Sequence, residues 1–256
     1  MTDLSPLDRH TNIGLMFSGG KDSLACVYLL REHLHRITLL HNDTGDLLPE
    51  TRAVVEHVKT IAPHFVHLRG DVHAWIAVNG LPTDLLPHSA HPIGRAMHES
   101  SGPPLVARYD CCWSNLMRPI YDLALERGVT LIIRGTKAVD MTRLPVRDGQ
   151  VEAGIEFFYP IEGWTNEQVF SYLRLNDAPI SRIYDYVDNS PECARCSAWW
   201  GEKRAAYLRK YHPHLWNDYG VRLRAVTDAI DPPLANLRRE VAEFNIAPNV
   251  SKGGSA

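Results

Sequence analysis

Six contiguous residues, Ser18-Gly19-Gly20-Lys21-Asp22-Ser23, put two glycines beside an ammonium and two hydroxyls. Glycine reaches positive φ and lets backbone come close to a ligand, so successive N–H groups can converge on an anion. A helix starting here adds partial positive charge, and Ser18, Lys21 and Ser23 add further donors. The segment reads as a phosphate-binding loop. It is not the Walker pattern, because Gly20 stands where that pattern has its lysine. The second constellation is Cys111-Cys112 with Cys193-x-x-Cys196. Four thiolates suffice for Zn²⁺ or an iron–sulfur cluster, and unligated thiols are the third reading. Adjacent cysteines fit zinc-ribbon spacing poorly. Cys26 reads as a packed core thiol.

These residues need elements to hold them. Ile13–Phe17 is an apolar run of strand length that ends at the loop, and Leu24, Val27, Leu30 and Leu34 then repeat at helical spacing. Ile37–Leu40 and Phe65–Leu68 read as further strands, with a helix between them that starts at Pro49. Leu116–Glu126 reads as a helix stopped by Gly128, followed by the strand Leu131–Ile133. Thr165-Asn166-Glu167-Gln168 matches a capping box. Strands alternating with helices predict a doubly wound, mainly parallel α/β sheet with nucleotide at the C-terminal strand ends. Residues 80–109 show no period and read as a long loop, a candidate flap over a site.

Composition narrows the function classes. The chain has 256 residues, 45% hydrophobic and 22% charged, which excludes global disorder. No apolar run reaches the ~18 residues of a membrane helix. The first residues carry no signal-peptide apolar core, so the expectation is a soluble, cytoplasmic protein with no membrane partner. The net charge of −3 is not the footprint of a nucleic-acid coat protein. Nothing in the sequence sets an oligomeric state.

Phe17–Ser23 resembles the PP-loop of the adenine-nucleotide alpha-hydrolase superfamily, whose members typically split ATP between the α and β phosphates. Later segments resemble its phosphoadenylylsulfate (PAPS) reductase-like family, from about Asn12 to Cys196. Asn42-Asp43-Thr44-Gly45 is similar to the motif beside the adenosine. Gly135-Thr136-Lys137 with Asp140 and Arg143 is similar to the family's Gly-x-Arg-x-x-Glu-x-x-Arg element, with Lys and Asp replacing its first Arg and its Glu. Pro160-Ile161, Trp164-Thr165, Val169, Pro179 and Tyr184 follow the family's order. The tandem cysteines with Cys-x-x-Cys resemble assimilatory adenylylsulfate (APS) reductases, which implies a [4Fe–4S] cluster on Cys111, Cys112, Cys193 and Cys196.

The resemblance implies nucleotide contacts from Ser18, Gly19, Gly20, Lys21, Asp22, Ser23, Asp43, Gly45, Gly135, Lys137 and Arg143. Lys21 and Asp22 are the expected catalytic pair, with Mg²⁺ on Asp22 or Asp43. Two departures bear on the chemistry. No cysteine follows Cys196, where the reductases carry their nucleophile, and Asn115-Leu116 replaces a basic pair expected near the cluster. The lysine-bearing loop is closer to relatives that use ATP. The leading expectation is therefore an ATP-dependent enzyme that adenylates an acceptor for sulfur transfer. The acceptor class considered is nucleic acid, and the sulfur donor is a partner protein. The alternatives are an APS/PAPS reductase using an external thiol and a non-catalytic nucleotide- and cluster-binding module.

Residues 1–196 are expected to form the nucleotide and cluster domain, 197–247 a helical extension, and 248–256 a flexible tail. The stretch from Trp199 to Arg224 interleaves aromatic and basic residues. Such a stretch can grip a single strand, but the favoured reading is a cap packed over the cluster or the sheet. His88, His91 and His98 read as solvated loop histidines rather than metal ligands.

Overall fold

The computed structural model describes residues 2–87, 90–97, 104–140, 146–189, 192–200 and 203–244. In chain order the elements are β1 (Ile13–Met16), α1 (Lys21–Leu29), β2 (Ile37–Asp43), α2 (Pro49–Ile61), β3 (Phe65–Arg69) and α3 (Val72–Asn79). They continue with β4 (Leu81–Thr83), α4 (Pro92–Met97), β5 (Leu105–Ala107), α5 (Arg108–Cys112), α6 (Arg118–Glu126) and β6 (Leu131–Ile133). The rest are β7 (Val151–Glu152), β8 (Ile155–Phe158), α7 (Asn166–Leu175), α8 (Arg204–Tyr211) and α9 (Pro213–Glu243).

The main sheet runs β3-β2-β1-β6-β8-β7, and every pairing in it is parallel except β7 with β8. The doubly wound fold expected from the sequence is the one observed. Ile13, Leu15, Ile37, Leu39 and Leu131–Ile133 are nearly or wholly buried, as strands covered on both faces must be. Ile13 pairs with Ile37 on one side and Leu131 on the other, so β1 is central. Winding reverses between β1 and β6, which opens a crevice at their C-terminal ends. Val169 and Leu173 of α7 join the core under α1. Both halves of the Thr165–Gln168 capping box are formed.

Several expectations need correction. The first helix stops at Leu29 and continues as a 3-10 turn over Arg31–Arg36, which still buries Leu34. The expected long loop of residues 80–109 is in part regular: β4 and β5 pair in parallel as a second, two-stranded sheet, and α4 lies between them. Strands of three residues, one of them containing Pro82, are too short to show a period. A single π-helical turn, Trp113–Met117, precedes α6. The β7–β8 hairpin turns at Ala153-Gly154, with φ of 51° and 82°. His91 accepts the Ile93 N–H at 3.2 Å as α4 begins, while His88 and His98 lie outside the described residues. Among the described residues no helix is long and apolar enough to cross a membrane.

Candidate functional site

A cavity of about 370 Å³ occupies the crevice. Ser18, Asp22 and Ser23 form one wall, Gly135, Thr136 and Asp140 another, and Asn42 from the end of β2 a third. Gly19 has φ of +83°, and a Cβ there would lie 2.9 Å from Thr51 Cγ2. Gly20 is the N-cap residue of α1 and has no capping side-chain bond, so that end of the helix is not capped by its own sequence. The Ser18 and Ser23 hydroxyls are 3.2 Å apart, and Ser23 donates to the Gly20 carbonyl at 3.1 Å. These bonds brace the loop.

Lys21 departs from the expected role of a cation on the cavity wall. Its side chain is buried, its Nζ lies 3.0 Å from Asp22 Oδ2 and 3.1 Å from Asn189 Oδ1, and it does not line the cavity. Its backbone N–H donates to the Tyr184 hydroxyl at 2.8 Å. Asp22 is the hub. Its second oxygen receives Lys137 Nζ at 2.7 Å, and the same Nζ lies 2.6 Å from Asp140 Oδ2. Lys137 is fully buried, and an ammonium so placed depends on its two carboxylates. Gly135 permits the approach: a Cβ there would sit 2.5 Å from the Asp22 backbone carbon. Arg143 lies outside the described residues.

Asp43 and Gly45 are placed elsewhere than beside the cavity. The Asp43 carboxylate accepts the Gly45 N–H at 2.8 Å and pairs with Arg52 at 3.2 Å, and neither residue lines the crevice. The turn they form instead clasps the second cysteine pair. The Asp46 carbonyl accepts the Ala194 N–H at 2.7 Å, and its carboxylate takes the Arg195 N–H at 3.0 Å and Nε at 2.8 Å. Thr44 Oγ1 lies 3.5 Å from Cys193 Sγ.

All four paired cysteines line one small cavity of about 20 Å³, room for about one water. Cys111 and Cys112 end α5. Asn115 of the π-turn returns to the Cys111 carbonyl at 3.0 Å. Asn42 at the end of β2 donates to the Asn115 and Leu116 carbonyls at 2.7 and 3.2 Å, which satisfies groups the widened turn leaves free. Burial pushes the Cys111 thiol up to about 12, with Cys112 and Cys196 adding to the rise, and pushes Cys112 up to about 11. Cys193 is raised for the same first reason. Among the described residues no three His, Cys, Asp or Glu side chains are drawn together as for a single bound ion. Cys26 is buried in the core.

The helices α8 and α9 follow the Cys193–Cys196 turn. Tyr207, Leu208, Leu215 and Tyr219 pack with Leu48, Ile183 and Ala194. Arg204 is buried and donates to the Cys196 and Trp199 carbonyls at 2.7 and 2.6 Å, its guanidinium 4.5 Å from the Tyr219 ring centre. Ser197 Oγ donates to the Pro82 carbonyl at 2.7 Å, which ties β4 to the same turn. Sequence reasoning passed over Asp46, Arg134 and Glu192, and took Arg222 only as one basic residue of the aromatic stretch. Glu192 and Arg134 line the large cavity, and burial raises the Glu192 carboxyl. The one available signal was that Glu192 adjoins Cys193.

Residues 12–79 match the family described as phosphoadenosine phosphosulfate reductase domain. That segment holds the phosphate loop, Asp43 and Gly45, and none of the four paired cysteines. No curated protein matches the chain. Among solved structures, a phosphoadenylyl-sulfate (PAPS) reductase from Candida auris, in a phosphate complex, is 16% identical over 72% of this chain and 83% of its own, with a TM-score of 0.49. An NH3-dependent NAD synthetase from Campylobacter jejuni subsp. jejuni NCTC 11168, in complex with the nitrate ion, is 11% identical over 86% and 88%, with a TM-score of 0.46. In its first three strands the chain is thus similar to the PAPS reductase domain.

Proposed function

We propose that this chain is an ATP-dependent enzyme that adenylates an acceptor oxygen and so readies that position for sulfur. The observation that carries the proposal is a shared wall: Cys112 and Leu116 line both the large crevice and the cysteine cavity. In the first step the acceptor oxygen attacks the α-phosphorus, the bond to the bridging oxygen breaks, and pyrophosphate leaves. The outer sulfur of a partner protein's persulfide then displaces AMP, and a second thiol of that partner cleaves the resulting S–S bond, which leaves sulfur on the acceptor and a disulfide on the partner. A nucleic-acid base is the acceptor class proposed.

The chain's own residues bind and orient. The loop amides, Ser18 and Ser23 hold phosphate oxygens. Lys137 fixes Asp22 and Asp140 at the floor of the crevice. Asp22 or Asp43 would hold Mg²⁺, which neutralises phosphate charge; each is already paired, Asp22 with Lys21 and Lys137 and Asp43 with Arg52. Cys111, Cys112, Cys193 and Cys196 would hold a [4Fe–4S] cluster. The donor types and their common cavity fit that group. In a four-iron cluster each thiolate binds a different iron, so its ligands need not meet as they do around one ion. The cavity has room for about one water, so loading requires the four side chains to turn outward. When bound on all four cysteines, the cluster would supply an electron-transfer or electrostatic centre beside the nucleotide, with no iron left open for sulfur.

The test is anaerobic incubation of iron-replete protein with ATP, APS and PAPS in turn, each with a thiol reductant. The expected result is AMP with pyrophosphate from ATP alone. Sulfite from APS or PAPS would overturn the proposal in favour of a reductase.

A further inference from the structure

The cysteine cavity gathers negative charge when its thiols ionise or ligate, so its cations matter. Two arginines line it, Arg108 and Arg222. Arg108 is already paired, with Asp84 at 3.2 Å. Arg222, brought in by α9, donates to the Arg195 carbonyl at 3.2 Å and stands 2.7 Å from His73 Nδ1. Among the described residues it forms no ion pair, since the nearby Asp46 carboxylate is taken by Arg195. Asn115 and Leu116, on the tandem-cysteine side of the cavity, carry no charge. A half-buried guanidinium without a carboxylate partner is costly unless an anion meets it.

We propose that Arg222 is the counter-cation of the cysteine site, a positioning residue that stabilises negative charge on its thiolates and on whatever they ligate. The inference rests on reading the four cysteines as one ligand set. It gives the C-terminal extension a second task besides packing, because α9 delivers to the cavity a cation that Asn115 and Leu116 do not, and that, unlike Arg108, has no carboxylate partner.

Two arms test it. In iron-free protein, the rate of Cys111 modification by anionic iodoacetate is divided by the rate with neutral iodoacetamide. The quotient cancels the thiolate fraction and reads local charge. Arg222→Gln is expected to lower it about threefold to tenfold, and Arg222→Lys to keep most of it. In reconstituted protein, loss of the cation is expected to make the cluster about tenfold harder to reduce, about 59 mV for one electron, again with rescue by lysine. An unchanged quotient in Arg222→Gln overturns the proposal, as does an equal loss in Arg222→Gln and Arg222→Lys. If wild-type protein takes up no iron, the cluster reading fails and the first arm still decides the role of Arg222. Should Arg222→Gln fail to fold, Arg222→Met, which keeps the aliphatic stem, takes its place in both arms.

Discussion

The phosphate loop and the cysteine site adjoin at one wall of the crevice, at Cys112 and Leu116, but are built in opposite ways. The loop is six consecutive residues braced by their own hydroxyls and by two buried lysines on Asp22, Lys21 and Lys137. The cysteine site is assembled from α5, the Cys193–Cys196 turn, the turn after β2, and α9, each held by a contact far away in sequence. A site made locally depends on backbone conformation and one ion-pair hub. A site made from distant segments depends on clasps, and single substitutions can loosen it without disturbing its neighbour.

The largest effect expected is at the loop's hub. Lys137→Ala leaves Asp140 without its ammonium and Asp22 with Lys21 alone, at a cost of roughly 3–5 kcal/mol in urea unfolding. A loss below 1 kcal/mol would show that the hub is not structural. The two sites also differ at the extremes of pH. His41, below the loop, donates Nδ1–H to the Phe17 carbonyl at 2.8 Å, and burial holds it down at about 4 against an ordinary 6.5. Its contribution is present above pH 6.5 and is lost as pH falls through 4, about 3 kcal/mol in all. A His41→Asn variant should flatten that part of the stability curve. Cys111 and Cys112 behave in the opposite sense: their raised values preserve stability below pH 9 and lose it as pH climbs through 11 and 12.

Smaller effects separate the sites further. Asp46→Asn removes the charge that holds Arg195, costs about 1–3 kcal/mol, and lowers retained metal while nucleotide affinity stays within about twofold. Gly135→Ala does the reverse. Its Cβ pushes the Thr136–Lys137 segment off α1, so nucleotide affinity, read by calorimetry, falls at least about tenfold with metal content unchanged. If either variant damaged both sites equally, the contrast between local and assembled construction would collapse.

The same contrast explains what the sequence disclosed. The loop was legible because strand, glycines and helix are contiguous, and β1, β2, β3 and β6 were legible as buried apolar runs. The cysteines were legible as residue types, but the cavity they line was not, since Cys112 and Cys193 meet only through the fold. Gly45 stood out in the sequence, yet its neighbour Asp46 serves the cysteine turn rather than the nucleotide. β4 and β8 escaped notice because Pro82 and Glu156 interrupt runs of three and four residues, and β5 because its three residues lie in a stretch without period, whereas β1 and β6 are uninterrupted apolar runs; the π-turn leaves no sequence mark at all. Arg222 was read only as one of several basic residues among aromatics. Its place in the cavity depends on how α9 lies across the turn at Cys196.

The central claim is that nucleotide and cysteines share a wall at Cys112. It is tested most directly in iron-free protein by following modification of each cysteine with iodoacetamide, with and without saturating ATP. ATP is expected to slow modification of Cys112 several-fold and to leave Cys193, which does not line the crevice, unchanged. Binding of ATP by calorimetry with no protection of Cys112 would contradict the account.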